Sequence, residues 1–345
     1  MDSSLFVFPV IIAFTISLIG TLFSLKYFPR WGIVDRQESH STHTHIGVRA
    51  GGLSIALAFL STMFLFFEGF EHITGVVIAS ILIVIVNFID DVKNISRYFR
   101  FFVEIIAAGI VVAAGVGMVA ITSPFGGFYD LTVGTFTLWG IEISPIADLI
   151  TMVWIVGLMN VINWLDGMDG LAGGVSSIAA FVLFILSLSP FVAQSEMALV
   201  AVILFASIMG FLPFNFYDGR IKLGDTGSKF IGFILAVTAI LNQGKMATFA
   251  LVLGLPILDA AWVIMRRIFI DKKSPFHGDQ GHFHHRLLRA GFSKRQTVVI
   301  MWCFAMSFGI LALLLHNARA KLWGLLIMML IFVIWSIWIL KREKK

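Results

Sequence analysis

Eleven stretches of this chain are apolar over most of the length that a bilayer demands, and nothing else in the sequence constrains its fold as strongly. An α-helix crosses the hydrocarbon core with about 20 apolar residues. The runs lie at 5–25, 51–67, 73–89, 101–121, 146–162, 171–190, 197–214, 229–241, 246–265, 297–315 and 322–340. They consume more than half of the 345 positions and leave no room for a large soluble domain on either side. Composition agrees: 59% of residues are apolar and 13% charged, against about 45–50% and about 25% in soluble domains. The expected fold is an all-α integral membrane protein of about eleven transmembrane helices, a single polytopic domain over 1–345. The first run follows Asp2 with no Lys or Arg before Lys26, so it lacks the basic start of a cleavable leader and is expected to stay as a helix. The lone Cys303 excludes a disulfide framework and a cysteine-based zinc site.

Positive residues in short loops stay cytoplasmic. With the N-terminus outside and an odd number of crossings, all of the 25 Lys and Arg except Lys245, Arg319 and Lys321 fall on the inner side, and the C-terminus is cytoplasmic. The one long outer segment, 122–145, carries Asp130 and Glu142 without Lys or Arg, and its alternation in LTVGTFTL and LWGIEI predicts a small outer β-hairpin.

The polar chemistry is concentrated at the inner ends of the runs. NFIDDVKN closes the third run with Asp90 and Asp91, where carboxylates oppose the helix dipole and call for a nearby cation. Lys93 and Arg97 could supply it in an ordinary solvated helix end. In GLMNVINWLDGMDGLAGG, Asn160, Asn163, Asp166 and Asp169 recur every third residue, which on a helix makes one slowly rotating polar stripe. A glycine-rich turn explains the glycines of that segment but not its amides and carboxylates. In FNFYDGRIKLGDTGSKF, Asp225 sits between glycines, with Thr226 and Ser228 placed to cap the next helix. SPFHGDQGHFHHRLLRAGFSKRQT is a basic loop holding His277, His282, His284, His285, Arg286 and Arg289. Its histidine spacing suits no standard structural zinc site; imidazoles and guanidiniums facing three acidic clusters suit a pyrophosphate better, with a surface for anionic lipid as the simpler alternative. Hard oxygen donors of this kind favour Mg²⁺, which binds through one or two carboxylates, water and phosphate oxygens. The spacing points to metal-assisted phosphoryl transfer at the cytoplasmic face.

Taken in order, NFIDDVKN, NVINWLDGMDGLAGG, LPFN with the Asp of GDTGS ten residues on, and GHFHHRLL resemble the polyprenyl-phosphate N-acetylhexosamine-1-phosphate transferases, a family related to phospho-MurNAc-pentapeptide translocase. The resemblance runs over about residues 30 to 295. It implies transfer of a sugar 1-phosphate from a UDP-N-acetylhexosamine, best UDP-GlcNAc, to undecaprenyl phosphate, with release of UMP, in a bacterial inner membrane. It implies that Asp90 and Asp91 are the paired catalytic aspartates, Asp90 deprotonating the lipid phosphate. Asp225 with Asn163 would bind Mg²⁺ or Mn²⁺. Asp166 and Asp169 would lie near the nucleotide, Asn215 near the uridine, and His282, His284, His285 and Arg286 on the pyrophosphate side. Phe283 interrupts the histidines, as in the teichoic-acid and common-antigen branch. HSTHTHIGVRAGG also resembles this branch, with Ile46 and Val48 where relatives often carry proline. The implied partners are the two substrates and the bilayer, with a homodimer possible and no nucleic acid.

Chemistry supports the same reading. A lipid phosphate and a diphosphate repel each other, so a site must neutralise both while holding nucleophile and phosphorus in line. The competing reading is a transporter, because Glu104 and Asp259 lie at membrane depth; Glu104 follows Arg100 by four residues, a spacing suited to a local ion pair.

Overall fold

The computed structural model describes residues 4–34, 48–67, 73–123, 125–138, 141–190, 192–216, 219–242, 246–272 and 281–343. The histidine-rich segment 40–47 and His277 lie outside them. In chain order the helices are α1 (Ser4–Tyr27), α2 (Gly52–Phe66), α3 (Ile73–Lys93), α4 (Arg97–Ala113), α5 (Pro145–Leu165), α6 (Leu171–Leu188), α7 (Ser195–Asn215), α8 (Gly224–Leu241), α9 (Met246–Val252), α10 (Gly254–Met265), α11 (Phe283–Arg289), α12 (Lys294–Leu314) and α13 (Ala318–Glu343).

Among the described residues, eight helices are long and apolar enough to cross a membrane: α1, α3, α5, α6, α7, α8, α12 and α13. The other three apolar runs are helical but shorter or broken. α2 has 15 residues. α4 begins earlier than hydropathy suggests and stops at Ala113, where AGVG turns the chain toward a strand. The run at 246–265 splits at Leu253 into α9 and α10. Pro256 has no N–H to give to the carbonyl four residues back, so a continuous helix is disfavoured there.

Helix α8 is the hub. Every residue from Thr226 to Ile240 is buried, and a helix apolar all round belongs inside a bundle. It packs on α3, α5 and α2, while α4 joins through α3 and α5. By contrast α1 and α13 turn large apolar side chains outward, among them Phe8, Ile11, Phe23, Leu330 and Trp338. Exposed large apolar side chains on these helices are what a lipid-facing surface requires.

Four short strands fill the connection from α4 to α5: β1 (Ala120–Thr122), β2 (Phe128–Asp130), β3 (Phe136–Leu138) and β4 (Ile141–Ile143). They form two antiparallel pairs, with Ile121 opposite Tyr129 and Thr137 opposite Glu142. Asp130 accepts hydrogen bonds from the Thr132 hydroxyl at 2.6 Å and its N–H at 2.8 Å, which lowers its carboxyl pKa. Since α4 and α5 are 17 and 21 residues long, this module sits about 25–30 Å from their other ends at 1.5 Å per residue. At those other ends the acidic motifs meet.

Candidate active site

Asp90 and Asp91 occupy the last turn of α3 and do different work. Asp90 Oδ1 accepts the Ile95 N–H at 2.6 Å, closing the turn into α4, and its Oδ2 accepts Arg100 Nη1 at 2.6 Å. The cation that the opposed dipole demands is therefore Arg100, not Lys93 or Arg97. Asp91 is sealed and faces α8. It accepts the N–H of Asp225 at 3.0 Å, the N–H of Thr226 at 3.1 Å and the Thr226 hydroxyl at 2.6 Å, with Arg49 Nε 3.6 Å away. A carboxylate from α3 thus caps the N-terminus of α8, satisfying donors that have no partner within their own helix. Gly224 has φ +72°, and a Cβ there would fall 2.7 Å from Asp91 Oδ2, so glycine alone admits the carboxylate. Capping by Thr226 and Ser228 does not occur. The Thr226 hydroxyl donates to Asp91, and the Ser228 hydroxyl donates to the Gly224 carbonyl at 2.9 Å.

Asp225, in the first turn of α8, closes the centre. Its Oδ1 accepts Asn163 Nδ2 at 3.1 Å, and its Oδ2 accepts the same Arg100 Nη1 that bonds Asp90. Asn163 also donates to Ser228 Oγ at 3.0 Å. Two helices distant in sequence, α3 and α8, so converge on one guanidinium nitrogen from α4, and α5 joins them through Asn163 on Asp225.

Helix α5 ends at Leu165, so the every-third-residue stripe is helical only through Asn160 and Asn163. Asp166 and Asp169 lie in the loop before α6. Asp166 keeps some exposure, but its carboxyl turns to the Gly224 N–H. Desolvation and then the charges of Asp225, Asp169 and Asp91 hold its pKa well above the usual carboxylate range. The Asp169 carboxylate lies against Gly219. Asn215 is buried and uses its amide on backbone: Oδ1 accepts the Gly170 N–H and Nδ2 donates to the Ile221 carbonyl, both at 2.9 Å. It clasps the acidic loop to the segment leading into α8.

The histidines come in on α11. Asp259 of α10 accepts the Phe283 N–H at 2.7 Å and holds His282 Nδ1 at 2.9 Å, fixing the helix start. The His282 and His284 rings lie nearly parallel, 5.7 Å apart, and His285 follows at 4.2 Å from His284. His284 is buried with its Nε2 against Gly167, between Asp166 and Asp169 in sequence. Burial pushes its pKa down to about 3, so the imidazole is neutral. Arg286 is buried, over the Trp262 ring at 5.6 Å and donating to the Ser336 carbonyl at 2.5 Å. One residue on from His285, about 100° around the helix, it ties α11 to α10 and α13.

With this geometry in hand, the chain can be set beside known proteins. Residues 73–243 match glycosyl transferase family 4, an interval that holds every acidic and amide residue above except Asp259. A "Probable undecaprenyl-phosphate N-acetylglucosaminyl 1-phosphate transferase" of Bacillus subtilis (strain 168) is 29% identical over 338 residues, covering 94% of this chain and 89% of the relative. The decaprenyl-phosphate N-acetylglucosaminephosphotransferase of Mycobacterium tuberculosis (strain CDC 1551 / Oshkosh) is 31% identical over 324 residues, 84% of this chain and 78% of the relative. The undecaprenyl-phosphate alpha-N-acetylglucosaminyl 1-phosphate transferase of Escherichia coli O157:H7 is 26% identical over 348 residues, 96% and 90% of the two chains. This chain belongs to the polyprenyl-phosphate hexosamine-1-phosphate transferases of glycosyl transferase family 4.

Within this family member, carboxylates gather around one guanidinium, while among the described residues no three His, Cys, Asp or Glu side chains stand close enough together to hold a metal ion by themselves. Asp90 and Asp225 each place an oxygen on one nitrogen, so a single positive charge already bridges them. Asp91, Asp166 and Asp169 crowd the same end of the bundle, an excess of hard oxygen donors over the guanidiniums of Arg100 and Arg49. Asn163 meets Asp225 through its amide nitrogen.

Two residues of this centre were not singled out from the sequence. Arg100 counted only as inner charge and as a local partner of Glu104, yet it bonds Asp90 and Asp225 instead. Lys229 takes Glu104, at 2.7 Å. The signal was available: Arg100 and Glu104 on α4 repeat, with opposite signs, as Asp225 and Lys229 on α8 at the same spacing.

Proposed function

We propose that this protein transfers N-acetylglucosamine 1-phosphate from UDP-GlcNAc to undecaprenyl phosphate at the cytoplasmic face of the bacterial inner membrane, with Mg²⁺ as cofactor. The observation that carries the reading is the meeting of Asp90, Asp225, Asn163 and Arg100 at one end of an apolar bundle. The substrate names printed for the relatives supply the choice of sugar and lipid. In the proposed reaction an oxygen of the lipid phosphate bonds to the sugar-linked phosphorus of the donor. The bond from that phosphorus to the bridging oxygen breaks, and the oxygen leaves with UMP. Asp90 takes the remaining proton of the lipid phosphate. Asp225 and Asp166 would hold Mg²⁺, which when bound would supply charge neutralisation for the diphosphate. Arg100 lies where a phosphate oxygen can draw it from the carboxylates. Neutral His284 and its neighbours His282 and His285 wall the pyrophosphate side, and Asp169 with the Asn215 clasp shapes the nucleotide side.

For topology, α2, α4 and the broken α9–α10 pair are counted as crossings beside the eight long helices. That odd total puts the termini on opposite sides, and keeping Lys and Arg inside then supports an outer N-terminus and outer β1–β4, with the C-terminus and the site inside. The transporter reading loses its basis, since Glu104 and Asp259 each bond partners within the fold. The test is UMP release by purified protein given undecaprenyl phosphate, Mg²⁺ and a panel of UDP-sugars. Release with UDP-GlcNAc is expected; silence with every UDP-N-acetylhexosamine, together with substrate uptake into proteoliposomes, would overturn the proposal.

A further inference from the structure

One helical turn deeper than the site lies a second polar layer that the reaction does not use. Glu104 follows Arg100 by one turn of α4, Lys229 follows Asp225 by one turn of α8, and Asn160 precedes Asn163 on α5. The three side chains close a ring: Lys229 Nζ to Glu104 Oε1 at 2.7 Å, Lys229 Nζ to Asn160 Oδ1 at 2.8 Å, and Asn160 Nδ2 to Glu104 Oε2 at 2.6 Å. Asn160 is anchored further by the Val156 carbonyl at 2.8 Å. The charged pair is sealed, with side-chain exposures of 5% and 3%.

Stability does not explain such a ring, because apolar residues of equal volume commonly pack as well as a buried ion pair or better. What a charged ring supplies is register. Along α4 the order is Arg100 then Glu104, and along α8 it is Asp225 then Lys229. A slip of one turn, about 5.4 Å, would set Arg100 level with Lys229, or Glu104 level with Asp225. Either way like charges meet in a low-dielectric interior. Rotation of α8 on α5 is blocked separately: a Cβ on Gly232 would fall 2.7 Å from the Leu158 carbonyl oxygen and 2.8 Å from Met159 Cα. The backbones therefore touch just beside Asn160.

We propose that Glu104, Lys229 and Asn160 are positioning residues of the transferase. They lock α4, α5 and α8 in the one register at which Arg100, Asn163 and Asp225 converge, and so set the geometry with which Asp225 meets a divalent cation and the sugar phosphate. This rests on the transferase reading. Misplacement of a reacting group by about 1 Å can cost about 100-fold in rate, so a lost register should be read in turnover and metal binding before it is read in folding.

The test compares full-length wild type with Glu104→Gln/Lys229→Met, which removes both charges and leaves neither buried alone, and with Lys229→Arg, which keeps the cation. Thermal unfolding in detergent, kcat and KM for UDP-GlcNAc, and Mn²⁺ affinity by electron paramagnetic resonance are measured together. The double variant is expected to stay folded, to lose at least about tenfold in kcat with KM moved less than about threefold, and to bind Mn²⁺ several-fold more weakly. Lys229→Arg should recover most of both losses. If the double variant does not fold, Asn160→Leu, which removes only the amide corner, is read by the same criteria. A folded variant with wild-type kcat and Mn²⁺ affinity overturns the proposal, as does a loss of activity that only tracks the loss of folded protein. Absence of UMP release in wild type overturns the transferase reading instead, and the Mn²⁺ titration still decides the ring.

Discussion

The two polar layers of the α4–α5–α8 bundle are built from the same chemistry: one acid, one base and one asparagine, each from a different helix. The layer at the mouth leaves Arg100 and Asp225 27% and 20% exposed, whereas Glu104 and Lys229 one turn below are almost wholly shut. Exposure, not composition, separates their roles. A partly wet pair can trade its partner for a metal ion or a phosphate, since water and ligand replace what is given up. A sealed pair has no substitute, because removing one partner strands a charge at a cost of about 3–5 kcal/mol.

The largest expected effect sits at the mouth. Asp225→Ala should abolish UMP release, by roughly 10³-fold or more, since metal-assisted charge stabilisation is worth several kcal/mol and about 1.4 kcal/mol is a factor of ten. Its thermal midpoint should fall far less than that of Lys229→Met, which orphans Glu104. Equal destabilisation of the two would erase the distinction between the layers. Next comes Arg100→Lys, expected to lower kcat by about 10–100-fold, because the lysine ammonium stops one bond short of the guanidinium nitrogen that meets both Asp90 and Asp225. Full activity in that variant would show that any cation serves.

A third prediction reverses sign between stability and activity. The Asp166 carboxyl is held above its ordinary pKa by desolvation and by Asp225, Asp169 and Asp91. Its folded form therefore binds a proton more readily than the unfolded chain, and ionisation at neutral pH opposes folding. Asp166→Asn should raise the thermal midpoint in chelator at pH 7 while reducing turnover with Mg²⁺, which differential scanning fluorimetry and the UMP assay would measure side by side. The smallest effect concerns His284, whose pKa falls to about 3 against 6.5 for an ordinary histidine. Between those values the unfolded chain binds more protons than the folded one, so this residue's contribution to stability grows as pH rises from about 3 to about 6.5 and is level above. Replacing it with Gln should flatten that part of the stability profile and leave the profile above pH 7 unchanged in shape.

Much of this was legible beforehand because burial in a bilayer and burial in a fold use the same apolar pattern. All eleven apolar runs contain helices, and the acidic motifs do gather at one end of the bundle. What failed to be legible was partner choice. Arg100 and Glu104 sit four apart and look like a local pair, yet each finds a partner on α8, which α3 and α5 hold across from α4. Asp166 and Asp169 continue the spacing of Asn160 and Asn163, but α5 ends at Leu165 and the two aspartates turn into a loop. Asn215 belongs to a motif and is used on backbone; Arg286 sits beside the histidines in sequence and faces α13 in space.

Hydropathy and the side on which Lys and Arg accumulate are local properties, and from them the sequence by itself determined a helical membrane protein with three acidic motifs at the same end of its apolar runs. Register between helices is not local. It depends on which side chains lie level when three rods pack, and only the tertiary structure decided that Arg100 bridges Asp90 and Asp225 while Lys229 locks Glu104 one turn below. In a medium of low dielectric each charge must find its opposite within a few ångströms, and spacing along one helix cannot say which neighbour will stand there.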